Sequence, residues 1–323
     1  MPQDSIYYAI GRISLIEANA INSAKLERLL QANSAPELRR ILVEYGWPDS
    51  GNDEQNALEH IQNACKLVLE LTTDVEMVNL FLLKSDVTNL KIILKASALN
   101  IEPELLSPNG TIEPEKLRLA AEEKRYDVLP EELQTAVKEI EDIILQDNVD
   151  PMHIDITLDK AYMSYVFNKL PKKHKLLHKY FTTIADTTNY AMAIRSMHLG
   201  KPYEFLKKML LPGGNISESK WQKAYEEPEN LPLLMQVYGG KLYQSAIAAF
   251  MDDTKIALFQ KRADDNLLEL FFPYKSSIDK DERLIGHLLM RDREAQAIRL
   301  ILAGKENGFS NEIIQERLRE LYV

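Results

Sequence analysis

The chain has 323 residues, 45% apolar and 27% charged, and its 39 basic and 49 acidic side chains leave a formal charge of −10. These values describe a globular chain, exclude a disordered one, and argue against nucleic acid as a partner. Cys65 is the sole cysteine, so no internal disulfide can form. A reducing compartment is expected, with Cys65 as a small buried apolar residue beside Ala64 and Leu67.

In chain order, the opening MPQDSIYYAIGRISL has an early acid and no long apolar core, and is not expected to be a signal peptide. No apolar run approaches the roughly 20 residues needed to span a bilayer. Leu26, Leu29 and Leu30 mark an early helix. Ser34 caps a second, with Pro36 in its first turn and Leu38, Ile41 and Leu42 on its apolar face, ending near Gly46. After the PDSGND loop the spacing predicts a helix over 54–71. A longer one follows, burying Val78, Phe81, Leu82, Leu90, Ile93 and Leu94. Short capped helices open at Glu113-Pro114-Glu115, Ser217 and Ser310, with acids near each start opposing the helix dipole. Further helices are predicted over 130–147, 155–170, 231–251 and 254–270, with VDPMHIDIT and FFPYKSS as connections.

The chain also repeats itself. LLKSDVTNLKIILKASALN and TTIADTTNYAMAIRSMHLG align at an offset of one hundred residues, matching Asp86, Asn89, Lys95 and Leu99 to Asp186, Asn189, Arg195 and Leu199. The following segments align too, Pro108, Gly110 and Ile112 with Pro212, Gly214 and Ile216. A diverged third copy places Ile298-Arg299 at the equivalent helical position, followed by Gly304, Gly308 and the Ser310 cap, but has Met290 and Arg293 in place of the Asp and Asn. Such a period implies like helical units that bury a face against their neighbours. The expected fold is all-α, with three related helical units divided approximately as 1–112, 113–216 and 217–323.

The two Asp-x-x-Asn pairs lie at i, i+3 on one helix face. They read as hydrogen-bonding residues that fix how one helical unit meets the next, rather than as metal ligands, since two oxygens from one turn make a weak cation site. His174 and His178 have the i, i+4 spacing of zinc ligands, yet Lys175 stands where a metalloprotease motif has Glu, and lysines surround the pair. Gly304-Lys305 lacks the remainder of a phosphate loop, and the paired glycines lack dinucleotide spacing. No catalytic residue, cofactor site or metal site is expected. Charge is polarised: residues 101–160 carry 16 acids and 6 bases, whereas residues 171–210 carry 8 bases and 2 acids. The basic stretch Lys172, Lys173, Lys175 and Lys179 is a candidate partner contact, facing a different partner from the acidic segment around Glu122–Glu141.

YYAIGRISLIEANAI, the repeated DVTNLKIILKA and DTTNYAMAIRS, and the ending EAQAIRLILAGKENGFSNEIIQERLRELYV together resemble the C subunit of bacterial and archaeal V-type (A/V) ATPases, the relative of the eukaryotic d subunit. The resemblance spans essentially the whole chain. It implies a funnel of three pseudo-threefold-related helical domains acting as a non-catalytic central-stalk component. Such a component is a socket joining the D–F axle to the proteolipid rotor ring, on the cytoplasmic face, touching the membrane only through that ring and transmitting torque for H⁺ or Na⁺ transport. A free helical adaptor is the alternative reading, and a metal-dependent hydrolase using His174 and His178 a more remote one.

Overall fold

A computed structural model of the chain describes residues 6–144, 150–277 and 280–321. Among these every regular element is helical. The chain forms two compact units, one built from residues 1–78 and 268–323 and the other from residues 79–267.

In chain order the helices are α1 (Ile6–Glu17), α2 (Ser23–Leu30), α3 (Ala35–Glu44), α4 (Asp53–Leu71) and α5 (Val75–Leu99). Then come α6 (Pro114–Glu123), α7 (Glu131–Ile144), α8 (Pro151–Lys169), α9 (Lys175–His198) and α10 (Tyr203–Met209). α11 (Glu218–Glu226), α12 (Gly240–Met251), α13 (Ile256–Glu269), α14 (Lys280–Glu306) and α15 (Asn311–Arg317) complete the set. Starts follow local chemistry. Asn22, Ser34, Asn52 and Ser310 each accept a backbone N–H from the first turn of the helix they cap. Ser217 occupies the cap position of α11 but pairs its Oγ with that of Ser219 at 3.0 Å.

Three expectations need correction. VDPMHIDIT is not a connection, because Asp150 caps Met152 N–H at 2.9 Å and Pro151 opens α8, so that helix starts earlier than 155. The apolar alternation there arises from burial of Ile154, Ile156 and Leu158 on a long helix. The predicted 231–251 helix is two pieces, a 3-10 stretch Pro232–Tyr238 and α12, separated at Gly239-Gly240, both of positive φ. Helices α1 and α10 were not anticipated; the former buries only Ala9 and Ile13 and the latter is a mere seven residues. Residues 145–147 of the helix expected over 130–147 lie outside the described residues.

In the first unit, α14 packs along α4 and against α1 and α3, bringing sequence-distant ends of the chain into one core. In the second, α7 lies on α8 and α10 on α9. Tyr190, Ile194, Leu206, Trp221, Met235, Leu242 and Phe259 form a continuous apolar cluster there. Each such buried side chain contributes about 1.5–3 kcal/mol of transfer free energy. The Tyr190 hydroxyl donates to the Ala246 carbonyl at 2.7 Å, so its polar end costs nothing to bury.

Candidate functional site

The Asp-x-x-Asn pairs are loop clasps. Asp86 is wholly buried on α5 and accepts from Thr111 N–H at 2.7 Å, the Thr111 hydroxyl at 2.6 Å and Ile112 N–H at 3.2 Å. One turn along, Asn89 exchanges two hydrogen bonds with the Ser107 backbone, donating from Nδ2 to the carbonyl and accepting N–H at Oδ1, both at 2.8 Å. The loop lies so close that a Cβ on Gly110 would stand 1.8 Å from Asp86 Oδ1. Glycine is required there by space.

The second copy has the same construction. Asp186 accepts from Asn215 N–H at 3.0 Å, Ile216 N–H at 3.4 Å and the Tyr238 hydroxyl at 2.7 Å. Asn189 donates to the Leu211 carbonyl at 3.0 Å and accepts its N–H at 2.7 Å. A Cβ on Gly214 would meet Asp186 Oδ1 at 2.1 Å. Burial raises the pKa of both aspartates, and the donors aimed at them pull it back only in part. Asp86 thus holds the loop that follows its own helix, and Asp186 the loop that follows α10.

A third clasp exists, but not after α14. Glu294, 1% exposed, accepts Ile21 N–H at 2.7 Å from the turn between α1 and α2. Ile21, Ile112 and Ile216 each stand immediately before the cap residue of a short helix, namely Asn22, Glu113 and Ser217. All three N–H groups meet a buried carboxylate on a long helix. The loop of the third copy is therefore supplied by the N-terminal segment, and the Gly304–Ser310 stretch serves another purpose, with Gly304 packed against Ile314. Met290 and Arg293 stand where the other copies have Asp and Asn. The carboxylate has moved to Glu294, one residue beyond the Asn position, and sits in a denser ionic set. His60 Nε2 lies 3.0 Å from Glu294, and Arg291 donates to it at 2.7 Å and to the Ile16 carbonyl at 3.3 Å. Trp47 stacks on His60 at 3.8 Å between centroids. Nearby, Glu17 pairs with Arg283 and with His287. Burial lowers the pKa of His60 and His287. Burial would raise that of Glu294, but hydrogen bonding to His60 and the Arg291 charge outweigh it and the net shift is downward.

The repeated cations also have equivalent partners. Lys95 bridges to Asp155 on α8 at 2.6 Å, Arg195 donates to Gln260 on α13 at 3.0 Å, and Arg299 makes a two-pronged bridge to Glu54 on α4. Glu294, Ile21 and His60 escaped the sequence reading. The usable signal was an isoleucine directly before each of three helix caps.

Lys172, Lys173, Lys175 and Lys179 are all exposed, in the turn between α8 and α9 and in the first turns of α9. In the acidic segment Arg118 bridges Glu115 and Glu122, and the Tyr126 hydroxyl donates to Glu141. His174 is buried and His178 partly so, with the Phe167 ring 6.3 Å from His178. Among the described residues no three His, Cys, Asp or Glu side chains are grouped to hold a metal.

The family described as ATP synthase (C/AC39) subunit matches residues 9–317 of this architecture. The chain belongs to that family. Similarity to the C subunits of A-type ATP synthases runs along nearly its whole length. The A-type ATP synthase C subunit from Desulfurococcus sp. (strain SY) is 22% identical, with 97% of this chain and 90% of that one covered. Those from Methanocaldococcus jannaschii and Pyrococcus abyssi are 23% and 21% identical, covering 97% of this chain and 86% and 90% of theirs. At such identity the shared feature is a whole-chain pattern, and this C/AC39 family member carries it with no helix long and apolar enough to cross a membrane among the described residues.

Proposed function

We propose that this C/AC39 family member is a non-catalytic central-stalk component of a rotary A/V-type ATPase, seated between a D–F axle and a membrane proteolipid ring on the cytoplasmic face. The observation that carries the reading is the family match over residues 9–317. The three loop clasps support it. A torque coupler must not deform under load, and at each clasp a buried carboxylate ties a loop to a long helix by hydrogen bonds that are costly to break in a dry interior. The repeated clasps also favour three related helical domains around a pseudo-threefold axis, with the last assembled from both ends of the chain. Lys172, Lys173, Lys175 and Lys179 form one contact surface and the acidic segment another.

The test is recovery of tagged protein from detergent-solubilised membranes of the source organism, followed by mass spectrometry. Head, axle and proteolipid chains recovered together are the expected result. Soluble partners without proteolipid would overturn it in favour of a free adaptor.

A further inference from the structure

We infer that the lysine cluster at the α8–α9 turn is a docking surface for anionic phospholipid headgroups, adding a direct lipid contact to any made through a proteolipid ring. The inference rests on reading these lysines as a contact surface, and names what they contact.

Lys169, Lys172, Lys173, Lys175 and Lys179 are all exposed within eleven consecutive residues. None of the five is paired with a carboxylate among the described residues; Lys169 lies over the Tyr165 ring at 6.0 Å. The cluster costs the fold stability. Lys175 and Lys179 are like charges at i, i+4, and cations are disfavoured beside the positive end of a helix. The repeat shows that the architecture does not require them. α5 carries Glu76 in its first turn and α14 carries Asp281 and Glu282, whereas α9 has no acid there. A sign reversal that weakens the helix and serves no internal contact is explained by an anion outside the chain.

The residue types select the class of anion. Protein interfaces are depleted in lysine and built around aromatic and arginine anchors. Between Lys169 and Lys179 there is no arginine, and no exposed large apolar side chain falls between Met152 and Leu199 among the described residues. Point charges on flexible stems suit a diffuse layer of phosphates better than a shaped, carboxylate-bearing protein face. The acidic balance of the chain does not forbid the contact, because at about 0.1 M salt charges more than about 10 Å away are screened.

The experiment is co-sedimentation of the full chain with vesicles of phosphatidylcholine alone or mixed equally with phosphatidylglycerol. Binding is expected only to the mixed vesicles. It should weaken roughly fivefold for each lysine replaced by Gln and fall to the phosphatidylcholine level when Lys172, Lys173, Lys175 and Lys179 are all replaced. Lys220→Gln and Lys223→Gln, on α11, should leave it unchanged, and circular dichroism should show every variant folded. No binding to the mixed vesicles, or equal weakening by the α11 substitutions, overturns the proposal. Pull-down of the fourfold variant separates this inference from the stalk reading. Recovery of ATPase chains together with lost vesicle binding supports lipid as the partner of these lysines. Lost recovery with vesicle binding intact overturns it and assigns them to an acidic protein face.

Discussion

At Asp186 the oxygens face three donors and no acceptor, so the site distinguishes a carboxylate from its isosteric amide. Asp186→Asn turns an NH₂ group toward at least one N–H or O–H, and the expected loss is about 1–3 kcal/mol in chemical denaturation. Gly110→Ala is expected to cost about 2–4 kcal/mol by the same measurement, because its Cβ would displace the Asp86 carboxylate and leave buried donors unmet. Protonation supplies a further check. His60 and His287 have folded-state pKa values below their ordinary 6.5, so the unfolded chain binds more protons below that pH. Stability is then full above about 6.5 and declines as pH falls through the lowered folded values. His287→Gln should flatten that decline in denaturation midpoints measured across the range.

At the scale of elements, helix starts separate what is locally encoded from what is imposed. Ser34, Asn52 and Asp150 cap through their own side chains. α9 starts at Lys175 after His174, which makes no capping hydrogen bond. The start is held by packing of Leu177, Tyr180 and Phe181, with Phe81 of α5 5.0 Å from Phe181 between ring centroids. Lys175→Glu should therefore raise stability by about 0.5–1 kcal/mol, read as a higher thermal midpoint, through a favourable dipole contact and removal of the like-charge pair with Lys179. A lower midpoint would show that the lysine is used within the fold. The elements that misled the sequence reading were α12, where Gly239-Gly240 interrupts an apolar run, and α8, whose first turn alternates like a strand although Asp150 caps it locally.

For the whole molecule, the consequential feature is that one compact unit joins residues 1–78 to residues 268–323. α14 is the main packing partner of α4, Glu294 holds the turn before α2, and Arg291 reaches the last turn of α1. A chain ending at Leu267 should therefore leave α1–α4 without protection in amide hydrogen exchange, since their buried face and the Ile21 clasp both depend on the missing helix. Protection retained there would mean that α1–α4 form a core of their own.

Helical periodicity, the Ser34 and Ser310 caps and two of the three clasp-bearing helices could be read from the chain itself, because each depends on residues within a few turns of one another. The Asp-x-x-Asn copies were visible for the same reason, as each pair and its loop are separated by about thirty residues or fewer. The third clasp could not be seen. Its carboxylate stands four positions, about one helical turn, beyond the residue that aligns with the Asp, and its loop lies 273 residues away, at the other end of the chain. Only packing of α14 against α4 and α1 brings Glu294 to Ile21, and a contact of that range leaves no local pattern in the sequence.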